Sequence, residues 1–275
     1  MTSDSAIDVL IPTYNRACAL AVVLTALSAQ SFRNFRIIIS DQSTHQSAFE
    51  KAEVKAVLRV LKATNRRVVT YRHLPRRGLA EQRAFLLAKV MSPYCLFLDD
   101  DVIVEADLIE RLYEAIREQQ CGFVGSALHG LSFINDIRPH QQYIEFWNSR
   151  VTTETVAPGR PARDRHHLHS AANLFHLQNK MRLQRESARL YRVAWVGGCV
   201  LFDTKKLRAI GGFNFWPELP ADHCGEDALV QLRVMEHFGG CGIIPSGAYH
   251  MELPTTVPVR NVNAPKMFFD SKSTG

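Results

Sequence analysis

In the first half of the chain, short apolar runs alternate with longer segments whose apolar residues recur at helical spacing. The apolar runs predict four strands, at residues 7–11, 35–40, 67–71 and 94–98. The helical spacing predicts four helices, at residues 17–28, 47–61, 78–90 and 105–119. This alternation is typical of an α/β protein with a mostly parallel central sheet and helices on both faces, in which ligands bind at the carboxyl ends of the strands.

The second half of the chain has a less regular pattern. It predicts strands and helices in this order: strands at residues 122–127, 143–151 and 193–202, helices at 204–210 and 227–238, and a strand at 242–244. Residues 160–192 are rich in Arg, Lys and His, and their apolar residues have helical spacing around Leu174, Leu177, Met181 and Leu183. We expect this polar segment to have little core to bury, and we interpret it either as a flexible lid or as a contact to an anionic membrane surface. Beyond residue 254 apolar residues are few, which predicts a flexible C-terminal tail.

The apolar run at residues 94–98 ends in three aspartates, Asp99, Asp100 and Asp101. Alternate residues of a strand point to the same face, so Asp99 and Asp101 should lie together with Asp100 opposite. Adjacent carboxylates repel each other, and at the exit of a buried strand a cation or solvent must compensate them. Oxygen ligands of this kind suit Mg²⁺ or Mn²⁺. An acidic turn that starts the next helix is the alternative interpretation.

Composition narrows the class of protein. The chain has 275 residues, 46% of them hydrophobic, which fits one large α/β domain or two small ones. The net charge of +6 suits ligands that carry phosphate but is far from the signature of a nucleic-acid-binding protein, so no nucleic-acid partner is expected.

Cysteine usage and hydropathy bear on location. Six cysteines are scattered without a CxxC pair, which favours buried thiols in a reducing compartment over a zinc site or a disulfide scaffold. The first residues lack the basic start of a signal peptide, and no apolar stretch is long enough to span a bilayer. We therefore expect a cytoplasmic protein, and peripheral contact with a membrane stays open.

Seven motifs occur in an order that resembles the family-2 glycosyltransferases of the GT-A fold. They are VLIPTYNR at residues 9–16, FRIIISDQS at 35–43, GLAEQR at 78–83, LFLDDD at 96–101, WVGGCVLF at 195–202, IGGF at 210–213 and GED at 225–227. The resemblance covers residues 7–254. It implies a single GT-A domain over residues 1–255, with a nucleotide-sugar-binding half at 7–120, an acceptor half at 121–255 and a C-terminal tail at 256–275.

The resemblance also implies a reaction. It is the inverting, metal-dependent transfer of a hexosyl or N-acetylhexosaminyl group from a nucleotide-diphosphate sugar, with a UDP-sugar favoured, to the hydroxyl of a glycan, a lipid carrier or a small metabolite. Asp227 would be the general base, with Glu226 and Trp195 contacting the acceptor. Asp101 and His250 would hold Mn²⁺ or Mg²⁺. The residues assigned to the nucleotide sugar are Thr13, Tyr14, Arg16, Asp41, Arg83, Asp99, Asp100 and Gly198.

These residues also have plainer interpretations, such as a helix-capping or turn carboxylate for Asp41, a helix-start acid for Asp227 and a core aromatic residue for Trp195. The family usually has two consecutive acids where this chain has Asp41 followed by Gln42, so the nucleotide base is left open.

Two other classes of protein stay under consideration. A nucleotidyltransferase normally carries a glycine-rich, basic loop after its first strand, and residues 12–16 contain no glycine. A non-catalytic module that binds nucleic acid or anionic lipid through residues 160–192 would not need the aspartates at 99–101.

Overall fold

The computed structural model describes residues 5–157, 159–185 and 188–270 of the chain. Within them, one sheet has eight strands and two further strands form a separate pair. The strands are β1 (Ile7–Thr13), β2 (Phe35–Asp41), β3 (Arg67–Arg72), β4 (Tyr94–Leu98), β5 (Val102–Val104), β6 (Phe123–Gly125), β7 (Arg189–Tyr191), β8 (Cys199–Asp203), β9 (Gly240–Ile244) and β10 (Ala248–His250).

The helices lie between these strands. They are α1 (Ala17–Ser28), α2 (Ala52–Ala63), α3 (Leu79–Ala88), α4 (Leu108–Gln119), α5 (Asn173–Met181), α6 (Thr204–Ala209), α7 (Glu226–Phe238) and α8 (Ala264–Asp270). Short 3₁₀ helices occur at Ala48–Glu50, Leu131–Phe133, Pro139–Gln141, Pro161–His169 and Trp216–Glu218.

The strand order in the large sheet is β3-β2-β1-β4-β8-β6-β9-β7. Strands β1 to β4 are parallel, as the sequence predicts. Strand β8 runs antiparallel to both of its neighbours, β4 and β6, and β7 runs antiparallel to β9. Because β1 and β4 are adjacent and parallel, residues that follow their carboxyl ends meet at one edge of the sheet.

Two apolar layers enclose the sheet because strand side chains alternate between its faces. In β1, Val9 and Ile11 belong to the layer that α1, α2 and α4 complete, whereas Leu10 belongs to the layer that α3, α5, α6 and α7 complete. Helices on both faces are therefore confirmed. The continuous apolar run of β1 reflects burial on both sides.

Three predictions for the second half need correction. Residues 143–151 do not form a strand: Phe146 makes only an isolated bridge to Tyr191, and the side chain of Arg189 lies over its ring. The strand predicted from residue 193 begins only at Cys199, since Gly198 has a φ of 72°, a left-handed conformation that interrupts an extended strand.

The predicted flexible tail is also wrong for the residues that the structure describes. Residues 264–270 form α8, Ala264 is fully buried, and Phe268 packs with its ring centroid 5.5 Å from that of Phe215. A few apolar residues are enough to hold this segment against the core, because they lie on one short helix that packs on α7. In the described part of the chain, no helix is both long and apolar enough to cross a membrane.

A buried ion pair fixes the amino end of the sheet. Asp8 of β1 is fully buried and lies opposite Arg36 of β2, whose Nε and Nη2 donate to its two carboxylate oxygens at 2.8 Å each. The backbone N–H groups of Met91 and Ser92 donate to the same carboxylate at 2.8 and 3.1 Å. Asp8 therefore connects β1, β2 and the turn before β4.

We expect Asp8→Ala to lower the free energy of unfolding by about 3–5 kcal/mol, because it removes the carboxylate partner of the Arg36 charge and leaves the N–H groups of Met91 and Ser92 without their acceptor. Urea unfolding followed by circular dichroism measures this. The control, Glu50→Ala, changes an exposed acid and should shift the midpoint little. Equal midpoints for the two variants would contradict the assignment.

Candidate active site

One cavity of about 300 Å³ lies where the carboxyl ends of β1 and β4 face the N-terminus of α7. Ten of the thirteen residues singled out in the sequence line it. They are Thr13, Tyr14, Arg16, Arg83, Asp99, Asp100, Asp101, Glu226, Asp227 and His250. The topology explains this convergence, because β1 and β4 are adjacent and α3 and α7 pack on the same face of the sheet.

The aspartates after β4 are held by Thr13 at the end of β1 and by Arg16 just after it. The Thr13 hydroxyl donates to Asp100 at 2.6 Å, and Arg16 Nη1 lies 3.2 Å from Asp100 Oδ1 and 2.5 Å from Asp101 Oδ2. Burial raises the pKa of Asp100 to about 6, although Thr13 and Arg16 oppose the shift. Burial and the charge of Asp99 also raise the pKa of Asp101. Negative charge is thus only partly compensated at this edge.

Arg83 joins the strand side of the cavity to its helix side. Its side chain is almost fully buried; Nη2 donates to Asp99 Oδ1 at 2.9 Å and Nε lies 3.2 Å from Glu226 Oε1. Helix α3 presents this arginine after Gly78, whose φ of 101° few other residues adopt. One guanidinium therefore neutralises carboxylates from two distant parts of the chain.

Two carboxylates open α7 inside the cavity. Burial and the charge of Asp227 raise the pKa of Glu226 to about 7. Burial likewise raises the pKa of Asp227; Arg83 opposes this shift, and Asp99 adds to it. The geometry therefore places at the N-terminus of α7 a carboxylate whose proton affinity is above normal.

Asp101 and His250 have the donor types that suit a divalent cation. Asp101 Oδ2 lies 3.5 Å from His250 Nε2, close to the ~3 Å between neighbouring ligands in an octahedral shell of ~2.1 Å bonds. No group of three or more His, Cys, Asp or Glu residues in the described chain could hold a metal. Two protein ligands still fit Mg²⁺ or Mn²⁺, which take their other ligands from substrate phosphates and water.

A cation bound there would displace existing partners. Arg16 forms an ion pair with Asp101, and the Glu252 N–H donates to His250 Nδ1 at 3.1 Å. A metal on Nε2 would require the imidazole proton on Nδ1, so that hydrogen bond would have to be released.

Three residues singled out in the sequence lie outside the cavity. Asp41 is fully buried and its two oxygens accept bonds from the turn that follows β2 and from Arg72. Burial would raise its pKa, but the bonds from Ser43, Ser47 and Ala48 lower it below the usual value. Asp41 thus holds a turn, as its plainer interpretation has it. The next residue, Gln42, reaches the cavity instead.

Gly198 and Trp195 are the other two. The Gly198 carbonyl accepts from the Asp99 N–H at 2.9 Å, and a Cβ on this glycine would lie 2.6 Å from Leu128 Cδ1. Gly198 therefore supports Asp99 without lining the cavity. The Trp195 ring stacks on His166 at 5.0 Å between centroids, and Arg163 lies over it at 4.5 Å.

Several cavity residues escape sequence reasoning. Arg76 lies over the Tyr14 ring at 4.4 Å, and Gln82 Nε2 donates to the Ser40 carbonyl at 2.6 Å. His223 Nε2 accepts from the Ala80 N–H at 3.1 Å, Nδ1 lies 2.6 Å from the Pro220 carbonyl, and burial lowers the pKa of the imidazole. Gln82 lies within the motif at residues 78–83 and Arg76 just before it, so that motif and its basic flank are the sequence signals that could have identified these two residues.

The basic segment at residues 160–192 is anchored rather than free. Arg165 pairs with Glu145 at 3.0 Å and Glu154 at 2.8 Å, and Leu174 and Leu177 of α5 are buried in the core. The expectation that this segment has little core to bury is therefore wrong for its described part.

Comparison with known proteins identifies the class. The model of the family Glycosyl transferase family 2 matches residues 8–188, more than half of the chain. The chain therefore belongs to glycosyl transferase family 2, as its motifs indicate.

Individual relatives are more distant. The chain is 26% identical over 156 residues to an uncharacterized glycosyltransferase of Rickettsia conorii, covering 57% of this chain and 24% of that protein. Among solved structures, the chain is similar to the crystal structure of S. aureus TarS 1–349 in complex with UDP-GlcNAc, with a TM-score of 0.58 at 13% sequence identity. This match covers 94% of this chain and 60% of TarS 1–349. For TarS 1–349 with UDP, the TM-score is 0.53 at 14% identity, covering 88% and 57% of the two chains. The predicted GT-A fold is confirmed, and the chain spans about a quarter of its curated relative.

The raised pKa of Glu226 predicts a pH dependence of stability. Its folded value of about 7 exceeds its ordinary 4.5, so the folded state binds this proton more tightly than the unfolded chain. The stabilisation is present below pH 4.5 and is lost as pH rises through about 7. Between pH 5 and pH 8, we expect the free energy of unfolding to fall by about 1–3 kcal/mol more in the parent than in Glu226→Gln. Urea unfolding at each pH measures this difference.

The control variant is Glu236→Gln, which changes an exposed acid on the same helix. Parallel pH profiles for the parent and Glu226→Gln would show that Glu226 ionises normally.

Proposed function

We propose that this protein is an inverting glycosyltransferase that moves a sugar from a nucleoside diphosphate sugar to a hydroxyl acceptor. The observation that carries the proposal is that one buried side chain, Arg83, forms ion pairs with both Asp99 and Glu226. An aspartate cluster at a strand exit and a carboxylate pair at a helix start thus face one cavity. A sugar held by the first would be presented to a nucleophile beside the second.

The donor would lie along the strand ends. Tyr14 and Arg76 offer a flat face for a base, and the amide of Gln42 can exchange hydrogen bonds with a base edge. Thr13 and Asp100 lie beside them for the ribose. A UDP-sugar is the favoured donor, supported by the TarS complexes with UDP-GlcNAc and UDP. The transferred sugar would be either a hexosyl or an N-acetylhexosaminyl group.

Asp101 and His250 would hold Mn²⁺ or Mg²⁺. When bound, the cation would neutralise charge on the nucleoside diphosphate leaving group as a Lewis acid. Arg16 is tied to Asp101 and would be the side chain that gives way.

Asp227 is proposed as the general base. Its carboxylate lines the cavity, and its raised pKa brings its proton affinity closer to that needed near neutral pH. It would accept the proton of the acceptor hydroxyl as that oxygen attacks the anomeric carbon. A single base supports direct displacement, so the product would carry the inverted configuration.

Other readings of the chain are less well supported. Membership of glycosyl transferase family 2 argues against a nucleotidyltransferase and against a basic binding module. The carboxylates of Glu226 and Asp227 in the cavity argue against both as well.

A cytoplasmic location fits the free cysteines. Peripheral membrane contact is proposed through the exposed side chains of Leu131, Phe133, Ile137 and Tyr143, and liposome sedimentation tests it.

We expect Asp227→Asn to keep donor affinity within a few-fold and to lower transfer by about a hundredfold or more, because Asn cannot take the acceptor proton. The measurement pairs calorimetric donor binding with turnover, after a nucleotide-sugar panel has identified a donor. Asp222→Asn, an exposed neighbour, is the control. Transfer at the parent's rate would reduce Asp227 to a helix-start acid, and NMR showing a retained anomer would refute inversion.

Asp101→Ala should abolish metal-dependent turnover while the protein stays folded, because a divalent cation loses one of its two protein ligands. Turnover across a Mn²⁺ titration, with melting curves alongside, measures this. Asp136→Ala changes an exposed acid outside the cavity and serves as the control. Full activity of Asp101→Ala at low metal would exclude the assignment.

A further inference from the structure

A strap formed by residues 253–262 crosses the mouth of the cavity. Its first part is tied to the strand side, where Arg16 Nη2 donates to the Pro254 carbonyl at 2.5 Å. Its last part is tied to the helix side, where the Cys224 N–H donates to the Val262 carbonyl at 2.9 Å. Between these anchors, Leu253, Thr255, Thr256, Val257 and Arg260 line the cavity.

The arginines of the cavity differ in their partners. Arg16 and Arg83 are both bound to carboxylates. Arg76 lies over the Tyr14 ring. In the part of the chain that the structure describes, Arg260 donates to two groups of the strap, the Val257 carbonyl at 3.3 Å and Thr255 Oγ1 at 3.0 Å. Among the residues that the structure describes, neither Arg76 nor Arg260 has a carboxylate partner.

This difference matters because the cavity is acidic. Five carboxylates line it, at positions 99, 100, 101, 226 and 227. A nucleoside diphosphate adds at least two further negative charges, which these carboxylates would repel. Arg83 stays paired with Asp99 and Glu226, and Arg16 keeps its contact to Asp100 even if a metal displaces it from Asp101. Beside such a metal, an arginine without a carboxylate partner is therefore the side chain most able to help the cavity accept a diphosphate.

We propose that Arg260 binds the diphosphate of the donor and thereby holds the strap across the loaded cavity. This inference rests on the proposed function. The present bonds of Arg260 go to neutral oxygens at an exposed position, and exchanging them for charge-assisted bonds to phosphate is favourable. Arg76, stacked on Tyr14, lies beside the aromatic face proposed for the base, which leaves the phosphates to Arg260.

The test compares a nucleoside with its diphosphate. Binding of uridine, UDP, guanosine and GDP to the full chain is measured by calorimetry, with and without Mn²⁺, for the parent, Arg260→Gln, Arg260→Lys and the control Lys266→Gln. Lys266 carries the same charge in the same C-terminal region but is exposed and does not line the cavity.

We expect Arg260→Gln to weaken binding of the preferred diphosphate about tenfold to a hundredfold, with the affinity for its nucleoside unchanged. Arg260→Lys should fall between, and Lys266→Gln should match the parent. Equal loss for nucleoside and diphosphate would mean that Arg260 only shapes the strap and would overturn the inference. Unchanged diphosphate binding by Arg260→Gln would overturn it while leaving the proposed function standing, whereas a parent that binds neither UDP nor GDP would overturn both.

Discussion

The ion pairs of Arg83 are the constraint on which the cavity depends. Its guanidinium and its partner Glu226 are both buried, so the charge of Glu226 is compensated where solvent cannot do so; its other partner, Asp99, is 34% exposed. One partner, Asp99, follows β4 and the other, Glu226, opens α7, more than a hundred residues later. Without this cation, the carboxylates of the two sides would face each other across a poorly solvated gap. Arg83, together with Arg16 on Asp100 and Asp101, makes the acidic character of the cavity tolerable.

Helix α3 can deliver that cation because its own start is firmly held. The loop before α7 approaches Gly78 so closely that a Cβ there would lie 2.8 Å from the Ala221 carbonyl oxygen. Gln82, next to Arg83, ties the ends of β1 and β2 through the Thr13 and Ser40 carbonyls. The position of Arg83 therefore follows from backbone contacts on both sides of it, and a pocket built on such contacts is largely formed before any ligand arrives.

The strands and helices of the first half could be predicted from sequence because local pattern and tertiary burial agree there: β4 and α1 have the predicted bounds. Prediction failed where long-range contacts decide. Residues 143–151 have strand-like apolar residues, but arginines from later in the chain pack on the aromatic rings. Asp41 is a different case: it looks like a ligand-binding acid, but the turn that follows it supplies donors to both of its oxygens, and Arg72 adds a long-range one.

The candidate site shows the same division. Residues in recognisable motifs could be placed in the cavity, since parallel strands bring their carboxyl ends together. The strap could not, because residues 253–262 carry no motif and little apolar pattern. Their position depends on the Arg16 contact to Pro254 and on the pairing of Val262 with the loop before α7. Such contacts join parts of the chain whose relation only the folded structure reveals.

The place of β8 in the sheet has a consequence for fragments of this protein. Strand β8 lies between β4 and β6, although it follows them in the chain by many residues. A fragment cut at residue 188, where the family match ends, would keep both neighbours and lack the strand that joins them. It would expose the edges of β4 and β6 that β8 normally covers, and open strand edges drive strands of different molecules to associate. Such a fragment would aggregate, and during synthesis the same edges stay open until residue 203 has left the ribosome.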